Sequence, residues 1–212
     1  KKKFTNKNFL FMFLRVFFVL KFYIASRNSI FLILFNLIKI SEILNISNFK
    51  NLLKNDPSPR SYKKSDERNY FLKLTKYQAY SAIYQINNKA DSAHKERLKR
   101  AKIYSKHLKN VKNVFYKKYA YSSKNCYLSF PILCQNRDQL YKHLLKNNLD
   151  TSKYFYRDCN QLKIFRKFNH HCPNTKYISD HILMLPVYPN YPTKNIKLIC
   201  DRIIDFYKRD KV

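Results

Sequence analysis

The stretch Leu183-Met184-Leu185-Pro186-Val187-Tyr188-Pro189 decides the fold, because an apolar run ends there in closely spaced prolines. Upstream, Pro173 suits the first turn of a helix, and the pattern predicts that this helix ends near Met184. The prolines between 186 and 192 then predict an extended loop. Thr193 is expected to cap a last helix, whose apolar face comprises Ile196, Ile199, Ile203, Ile204 and Tyr207.

The segment before Pro173 alternates between strand and helix signals. Residues 127–134 are predicted to form a strand, in which Pro131 indicates an edge position or a bulge. Asn136 is expected to cap a helix over 137–147, with Leu140, His143 and Leu144 facing inward. Residues 151–156 are a second strand candidate.

Residues 71–110 predict two helices packed together. Thr75 can cap the first, which runs to about Ile86, and the second covers about 90–109. The pair Asn87-Asn88 lies between them as a turn signal, as Asn147-Asn148 does further on. Helices followed by a small sheet with helices against it make an α+β fold, with 111–212 as its C-terminal domain.

Residues 1–45 form a hydrophobic segment, which the polar, proline-containing linker 46–70 separates from the rest. Two helices are expected, over about 8–24 and 29–45, with a break near Ser26–Ser29. Basic residues interrupt the apolar runs before they reach the ~18–20 residues that a spanning helix needs. The helices are therefore expected either at a membrane surface or buried against protein. A signal peptide is a third reading, which the absence of a small-residue cleavage site disfavours.

The composition restricts the function classes. A net charge of +30 favours anionic partners. However, the lysines are spread over the whole length, and the excess of Lys, Asn, Tyr, Phe and Ile with no Gly or Trp is what A/T-rich coding DNA produces. The charge is therefore weak evidence for a specific partner. Because the chain has no Gly, a Gly-rich phosphate loop of the Walker or dinucleotide-binding type is excluded.

The cysteines give no disulfide or zinc signature. Five are present, and no two of them have CxxC spacing. His170, His171 and Cys172 could contribute to a metal site only if Cys159 joined them, so a loop before a helix is the favoured interpretation. Reduced thiols in a cytoplasmic protein are expected.

Three segments together resemble the DegT-DnrJ-StrS family of pyridoxal-phosphate-dependent sugar aminotransferases. The first is Lys73–Ala79 with Gln85-Ile86, and the second is Lys95-Glu96-Arg97 followed by Ala101, Tyr104 and Leu108. The third follows family order through Phe130-Pro131-Ile132, Asn136–Leu140, Leu144-Leu145, Thr151-Ser152 and the opening stretch Leu183–Pro189. The resemblance covers roughly residues 70–209.

The resemblance implies the aspartate-aminotransferase-like fold (fold type I of the pyridoxal phosphate transferases), with this chain as its small C-terminal domain and part of a dimer-facing helical region. It also implies a parent enzyme that moves an amino group, usually from glutamate, to a keto sugar attached to a nucleotide. The family's Schiff-base lysine lies upstream of these motifs, and nothing in this sequence matches it. No catalytic residue is therefore assigned, no cofactor is expected to bind covalently, and the chain alone is not expected to transaminate.

Two site residues are implied by the resemblance. Lys73 takes the place of a family arginine near the cofactor phosphate of the partner subunit, where an asparagine is also usual and Phe71 stands here. Tyr154 takes the place of a family histidine and is the candidate for substrate binding. Most other motif residues are expected to be fold markers: Gln78 and Gln85 bonded to helix neighbours, Arg97 in an ion pair, and Tyr188 in a packed turn.

The favoured interpretation is a C-terminal fragment of such an aminotransferase. Its expected partners are the missing N-terminal half or a homodimer partner, and also an anionic membrane surface, so the location would be cytoplasmic or peripheral at the inner membrane. One alternative is a basic RNA-binding or ribosomal protein, supported by charge and aromatic content but not by the ordered motifs. The other is a membrane-surface interaction protein using 1–45.

Overall fold

The computed structural model describes residues 13, 17, 20, 24, 27–44, 75–116, 124–153, 158–161, 163–168 and 170–209. The chain divides into two compact units, Lys1–Ile83 and Tyr84–Val212. In the first unit, α1 covers Asn28–Ile43, where the sequence predicts a helix over 29–45. Most of the helix expected over 8–24, and the whole linker 46–70, lie outside the described residues. No helix in the described ranges combines the length and the apolar character needed to cross a membrane.

Helix α2, Lys76–Leu108, is a single helix of 33 residues where the sequence predicts two. Thr75 caps it as predicted: its hydroxyl oxygen accepts from the N–H of Gln78 (3.3 Å), and the Gln78 side-chain oxygen accepts from the N–H of Thr75 (3.0 Å). The turn expected at Asn87-Asn88 is wrong. Asparagine costs a helix only about 0.5 kcal/mol relative to alanine, and the side-chain amide of Asn88 donates to the carbonyl oxygen of Tyr84 within the helix (2.9 Å).

A three-stranded antiparallel sheet lies at the centre of the second unit, in the order β1 (Val114–Phe115), β2 (Ser129–Cys134), β3 (Ile182–Pro186). The α+β prediction is thereby confirmed. Ser152 extends the sheet beyond β3 through a pair of backbone hydrogen bonds with Met184, of 2.8 and 3.0 Å. These are the described part of the strand predicted over 151–156, whose residues 154–156 lie outside the described ranges.

Pro131 sits in β2 where a missing N–H is tolerated. It pairs with Met184, and the N–H and C=O of Met184 both bond to Ser152 on the opposite side. The backbone nitrogen of Pro131 therefore points away from β3. On that side, β1 pairs only with Leu133 and Cys134 among the described residues. Although β2 is the middle strand, Pro131 has no described strand partner on the side its nitrogen faces, which is the situation of a residue on an edge strand, as predicted.

The run 182–186 is a strand, so the prediction that the Pro173 helix ends near Met184 is wrong. Helix α4 covers Pro173–His181 and stops immediately before β3. All five β3 residues are buried, and an apolar run of this length suits a buried strand as well as it suits a helix end. Pairing with β2 decides between the two.

Asparagine supplies the left-handed backbone that glycine would supply elsewhere. Helix α3 covers Arg137–Lys146, and Asn148 (φ 58°) follows its C-terminus, as the Asn-Asn signal predicts. The N–H groups of Asn148 and Leu149 donate to the carbonyl oxygens of Leu145 and Leu144, both over 3.0 Å, which makes a Schellman motif. Asn136 stands at the N-cap but is also left-handed (φ 52°). It forms no side-chain cap bond there, contrary to prediction.

The core of the second unit lies between the sheet and helices α2, α3 and α5 (Thr193–Arg209). The predicted inner face of α5 is buried, with Ile204 half-buried. The ring of Tyr104 in α2 stacks on Phe130 of β2 at 5.4 Å between centroids. Two short 3-10 helices, Cys159–Gln161 and Lys163–Phe168, precede α4. The largest fully buried side chains are Tyr104, Phe130, Leu108, Ile132, Leu140, Leu144, Leu183, Leu185, Ile196, Ile199, Ile203 and Val187.

Candidate functional site

Both site residues predicted by resemblance lie outside the described residues: Lys73 precedes Thr75 in the sequence, and Tyr154 follows Lys153. Phe71 and Phe155 lie outside as well. What the structure does show is how the neighbouring motif residues are held, and where polar side chains gather in the second unit.

A buried arginine joins α2 to the loop after β3. Arg100 is 6% exposed, and its Nε donates to the carbonyl oxygen of Tyr191 over 3.1 Å. Its two Nη atoms donate to the carbonyl oxygen of Pro189 and to both the carbonyl and the carboxylate oxygens of Glu96. Burial of a guanidinium is tolerated where its donors have partners. We name this set of contacts, between Arg100 and the 189–191 loop, the arginine clasp.

Two further residues of α2 donate to backbone carbonyl oxygens distant in sequence. The hydroxyl of Tyr104, on the same helix face as Arg100, donates to the carbonyl oxygen of Pro186 over 3.2 Å. Arg97 donates to the carbonyl oxygen of Tyr127 over 2.7 Å. The described partner of Arg97 is therefore a backbone carbonyl and not the carboxylate that the sequence analysis expects.

An acidic group lies close to the clasp. The hydroxyl of Tyr188 donates to a carboxylate oxygen of Asp150 over 3.1 Å, and the Tyr188 ring meets that of Tyr191 edge-on, with 5.0 Å between centroids. Burial raises the pKa of Asp150, and the bond from Tyr188 opposes that rise. The pKa of Tyr188 is raised mainly by burial, and the nearby charge of Asp150 raises it further. The N–H of Tyr191 donates to the carbonyl oxygen of Tyr188 (2.9 Å), so the predicted packed turn is confirmed.

An open polar crevice of about 980 Å³ lies on the α4 side of the second unit. Within it, the Lys176 amine contacts a carboxylate oxygen of Asp180 at 2.9 Å, one helical turn away. This bond raises the pKa of Lys176 and lowers that of Asp180. The ring of His181 stacks on Tyr177 at 4.2 Å. The crevice is lined by Asp158, Asn160, His170, His171, Cys172, Pro173, Lys176, Tyr177, Asp180 and His181.

His170, His171 and Cys172 line this crevice as the exposed loop before α4, which is the favoured sequence interpretation. Cys159 is also exposed, in the first 3-10 helix. Across the described ranges, no three His, Cys, Asp or Glu side chains come together as a metal ion would require. The crevice offers hydrogen-bonding and charged groups, but its one described lysine is held in its charged form.

Sequence reasoning missed Arg100. The available signal was its spacing, because it precedes Tyr104 by four residues on the apolar stripe of α2. Asp150 was also missed, and its sequence position between a helix and a strand carries no signal of its own.

Comparison with known proteins identifies the family. Residues 47–204 match the DegT/DnrJ/EryC1/StrS aminotransferase family. The chain belongs to this family. No curated protein matches the sequence.

Solved structures share the fold at low identity. DesV of S. venezuelae, solved with a ketimine intermediate, aligns with 74% of this chain and 43% of its own (17% identity, TM-score 0.58). Helicobacter pylori PseC is an aminotransferase involved in the biosynthesis of pseudoaminic acid. Its alignment covers 65% of this chain and 38% of PseC, at 17% identity and a TM-score of 0.54. E. coli GDP-4-keto-6-deoxy-D-mannose-3-dehydratase was solved with bound hydrated pyridoxal phosphate (PLP). Its alignment covers 66% of this chain and 40% of the dehydratase, at 13% identity and a TM-score of 0.51. This chain therefore spans less than half the length of these proteins.

Lys176, the lysine of the crevice, does not suit a Schiff base. A lysine that forms a Schiff base must lose its proton to attack, whereas Asp180 raises the pKa of the crevice lysine, Lys176. The sequence contains no glycine for a Gly-rich loop around a phosphate. No chemistry of a bound cofactor is assigned to these residues.

Proposed function

We propose that this chain is the C-terminal part of a PLP-dependent nucleotide-sugar aminotransferase, and that it acts together with an N-terminal part supplied as a separate polypeptide or by a longer product. The proposed reaction of the assembled enzyme moves an amino group from an amino acid to a keto sugar. Family membership over residues 47–204 supports the proposal, as do the DesV and PseC neighbours.

The observation that carries the proposal is the arginine clasp. The second and third resembling segments are far apart in sequence, yet they contact one another directly. Arg100 and Tyr104 come from α2; Tyr104 donates to Pro186 at the end of β3, and Arg100 donates to Pro189 and Tyr191 in the loop that follows. The family motifs thus lie in one packed unit of helix and sheet, and this supports the proposal that the unit is the small C-terminal domain of such an enzyme.

The chain by itself is proposed to be inactive in transamination. This is proposed because its sequence has no match to the family's Schiff-base lysine segment, and because Asp180 holds the crevice lysine, Lys176, in its charged form. The E. coli neighbour is a dehydratase, so the fold alone does not select the reaction. Amino transfer is proposed on the family match.

Two side chains are proposed to border an active site built mainly by other polypeptide. Lys73 would contact the cofactor phosphate of a partner subunit as a point charge, without the two-pronged geometry of arginine. Tyr154 would contact the sugar. Both assignments require a dimer, or assembly with the N-terminal part.

The first experiment tests the isolated full chain. It is mixed with PLP and glutamate, reduced with borohydride, and mapped by peptide mass spectrometry. We expect low-level labelling spread over many lysines, and no glutamate-dependent conversion of the cofactor. Stoichiometric labelling of one lysine, or turnover of glutamate, would show that the chain carries its own active site.

The second experiment tests for the proposed N-terminal part. The DNA immediately upstream is sequenced, and any polypeptide it encodes is co-expressed with this chain. We expect a Ser-x-x-Lys segment followed by a Gly-rich strand, and one borohydride-trapped lysine on that polypeptide in the complex. With the complex in hand, Lys73→Met should weaken retention of the cofactor, while Lys76→Met, on the first turn of α2, should not.

A further inference from the structure

Helix α2 carries a line of lysines along one side of its C-terminal half. Lys95, Lys99, Lys102 and Lys106 recur at intervals of four, three and four residues, so they share one face of the helix. All four side chains are exposed. We name these four residues the lysine stripe.

The lysine stripe lies opposite the buried side of α2. Ala101, Tyr104 and Leu108 are buried, and each follows a lysine of the stripe by two positions, which is a rotation of about 200° around the helix axis. Tyr104 packs on Phe130 of the sheet. The packing that fixes α2 on the second unit therefore also fixes the stripe as an outward-facing line of amines.

Positive charge is denser here than the composition of the chain explains. Seven of the fifteen residues 95–109 are Lys or Arg, whereas 43 of all 212 residues are. The one acidic residue of that segment, Glu96, forms an ion pair with Arg100. In the part of the chain that the structure describes, no carboxylate forms an ion pair with a stripe lysine. Lysines three and four positions apart repel one another, and an anionic ligand would relieve that repulsion.

The shape of the stripe favours a strand of nucleic acid as its ligand. The stripe is one lysine wide, and the helix rises about 17 Å from Lys95 to Lys106. That is the length of about five phosphates in a stacked strand, at about 3.4 Å each. The centres of protein interfaces are poor in lysine. A helix in a membrane interface needs a free apolar side, whereas this half of α2 has buried its apolar side against the sheet.

From these observations we propose that the lysine stripe binds a strand of nucleic acid through its phosphates. Lysine amines meet phosphate oxygens as point charges, and contacts to phosphates carry no information on base sequence. Binding is therefore independent of base sequence and weakens as salt is added. The proposal does not depend on the aminotransferase assignment, because the stripe includes neither Lys73 nor Tyr154.

The test is fluorescence anisotropy of the full chain with two labelled probes, oligouridine and oligothymidine, each about 15 nucleotides long. Affinities are measured between about 50 and 200 mM salt. We expect both probes to bind with similar affinity, because their phosphates are alike. A preference of more than about tenfold for either probe would contradict binding through phosphates alone.

A triple variant tests the stripe itself. Lys99→Gln, Lys102→Gln and Lys106→Gln together should weaken binding of both probes about tenfold or more at low salt. The plot of log affinity against log salt should also become shallower by about 2, since each lost phosphate contact removes about 0.7 from the slope for a single strand. Lysine and glutamine have similar helix propensities, so α2 should stay folded, and circular dichroism checks this.

A matched control separates the stripe from the total charge of the protein. Lys194→Gln, Lys197→Gln and Lys208→Gln remove the same number of charges from exposed positions of α5. This control should bind within about threefold of the parent protein and should keep its salt slope.

Three results would overturn the proposal. The first is a parent protein that binds neither probe at about 50 mM salt. The second is an equal loss of affinity in the stripe variant and the α5 control, which would show that total charge drives binding. The third is a stripe variant that binds both probes like the parent protein but no longer floats with phosphatidylglycerol vesicles, which would assign the stripe to a membrane surface.

Discussion

The guanidinium of Arg100 lies within 3.1 Å of the carbonyl oxygen of Tyr191, although 91 positions separate the two residues in sequence. A charged donor that reaches a loop carbonyl in the interior fixes that loop in one place, since a displaced loop would leave buried donors and acceptors unpaired. The family stretch Leu183–Pro189 is held against α2 in this way. We therefore expect the clasp to matter more for stability than any surface ion pair.

Arg100→Met should lower the free energy of unfolding by about 3 kcal/mol, because the Pro189 and Tyr191 carbonyl oxygens lose a charged donor. Arg100→Lys should recover only part of the loss, since an amine cannot reproduce the planar arrangement of three donor positions. Urea denaturation followed by circular dichroism measures both. Lys102→Met, two positions along the same helix and exposed, is the control and should change stability by less than about 0.5 kcal/mol. An Arg100→Met protein as stable as the control would show that the clasp does not stabilise the fold.

The Asp150–Tyr188 pair predicts a pH dependence. Because burial raises the pKa of Asp150 above its ordinary value of 3.8, the folded protein favours the protonated carboxyl. The stability from this group is therefore complete below about 3.8 and is lost as the pH rises through the folded-state pKa. Asp150→Asn should abolish that loss. Denaturation curves at a series of pH values from 3 to 7 measure the effect.

Tyr188→Phe tests the same pair from the other side. The hydroxyl bond lowers the pKa of Asp150, so its removal should shift the titration of this carboxyl further upward. The variant should lose about 1–2 kcal/mol at neutral pH, where the carboxylate needs the donor, and less at low pH. Carboxyl-carbon NMR of Asp150 reports the pKa directly. A downward shift of that pKa in Tyr188→Phe would contradict the assigned role of the bond.

The fold was predictable where local chemistry and tertiary packing agree. Thr75 predicted the start of α2, and the structure adds the reciprocal bond from the Gln78 side chain to the N–H of Thr75. The continuity of α2 through Asn87-Asn88 was not predictable, since asparagine is only weakly unfavourable inside a helix. The strand at Ile182–Pro186 was also missed, because five apolar residues carry no period that separates strand from helix.

The candidate site was less predictable than the fold. Arg100 was passed over because an arginine in a helix is usually solvated, and only its partners 89 and 91 residues away reveal its burial. Arg97 was recognised as a motif residue, but with the wrong class of acceptor. Lys73 and Tyr154 rest on the family resemblance and stay predictions.

The left-handed Asn148 offers a stability gain. Its φ of 58° costs asparagine less than most residues, but glycine adopts it without a Cβ penalty. Asn148→Gly should raise the free energy of unfolding by about 0.5 kcal/mol, and Asn148→Ala should lower it by about 1 kcal/mol. Asn147→Gly is the control: Asn147 has φ −84° and a side-chain bond to the His143 carbonyl oxygen, so glycine there should destabilise. Equal effects of glycine at the two positions would argue against the Schellman geometry.

The five thiols should fall into two reactivity classes. Cys134 and Cys200 are buried, and burial raises the pKa of both thiols to about 12, so almost no reactive thiolate is present at pH 8. Cys126, Cys159 and Cys172 are exposed. Iodoacetamide on the native protein, followed by peptide mass spectrometry, should label these three quickly and the buried two only after denaturation. A matched sample in urea should show all five labelled at similar rates, which controls for intrinsic differences between the peptides. Rapid native labelling of Cys134, whose Sγ lies 3.5 Å from the carbonyl oxygen of His181, would mean that α4 opens away from the sheet far more often than its packing implies.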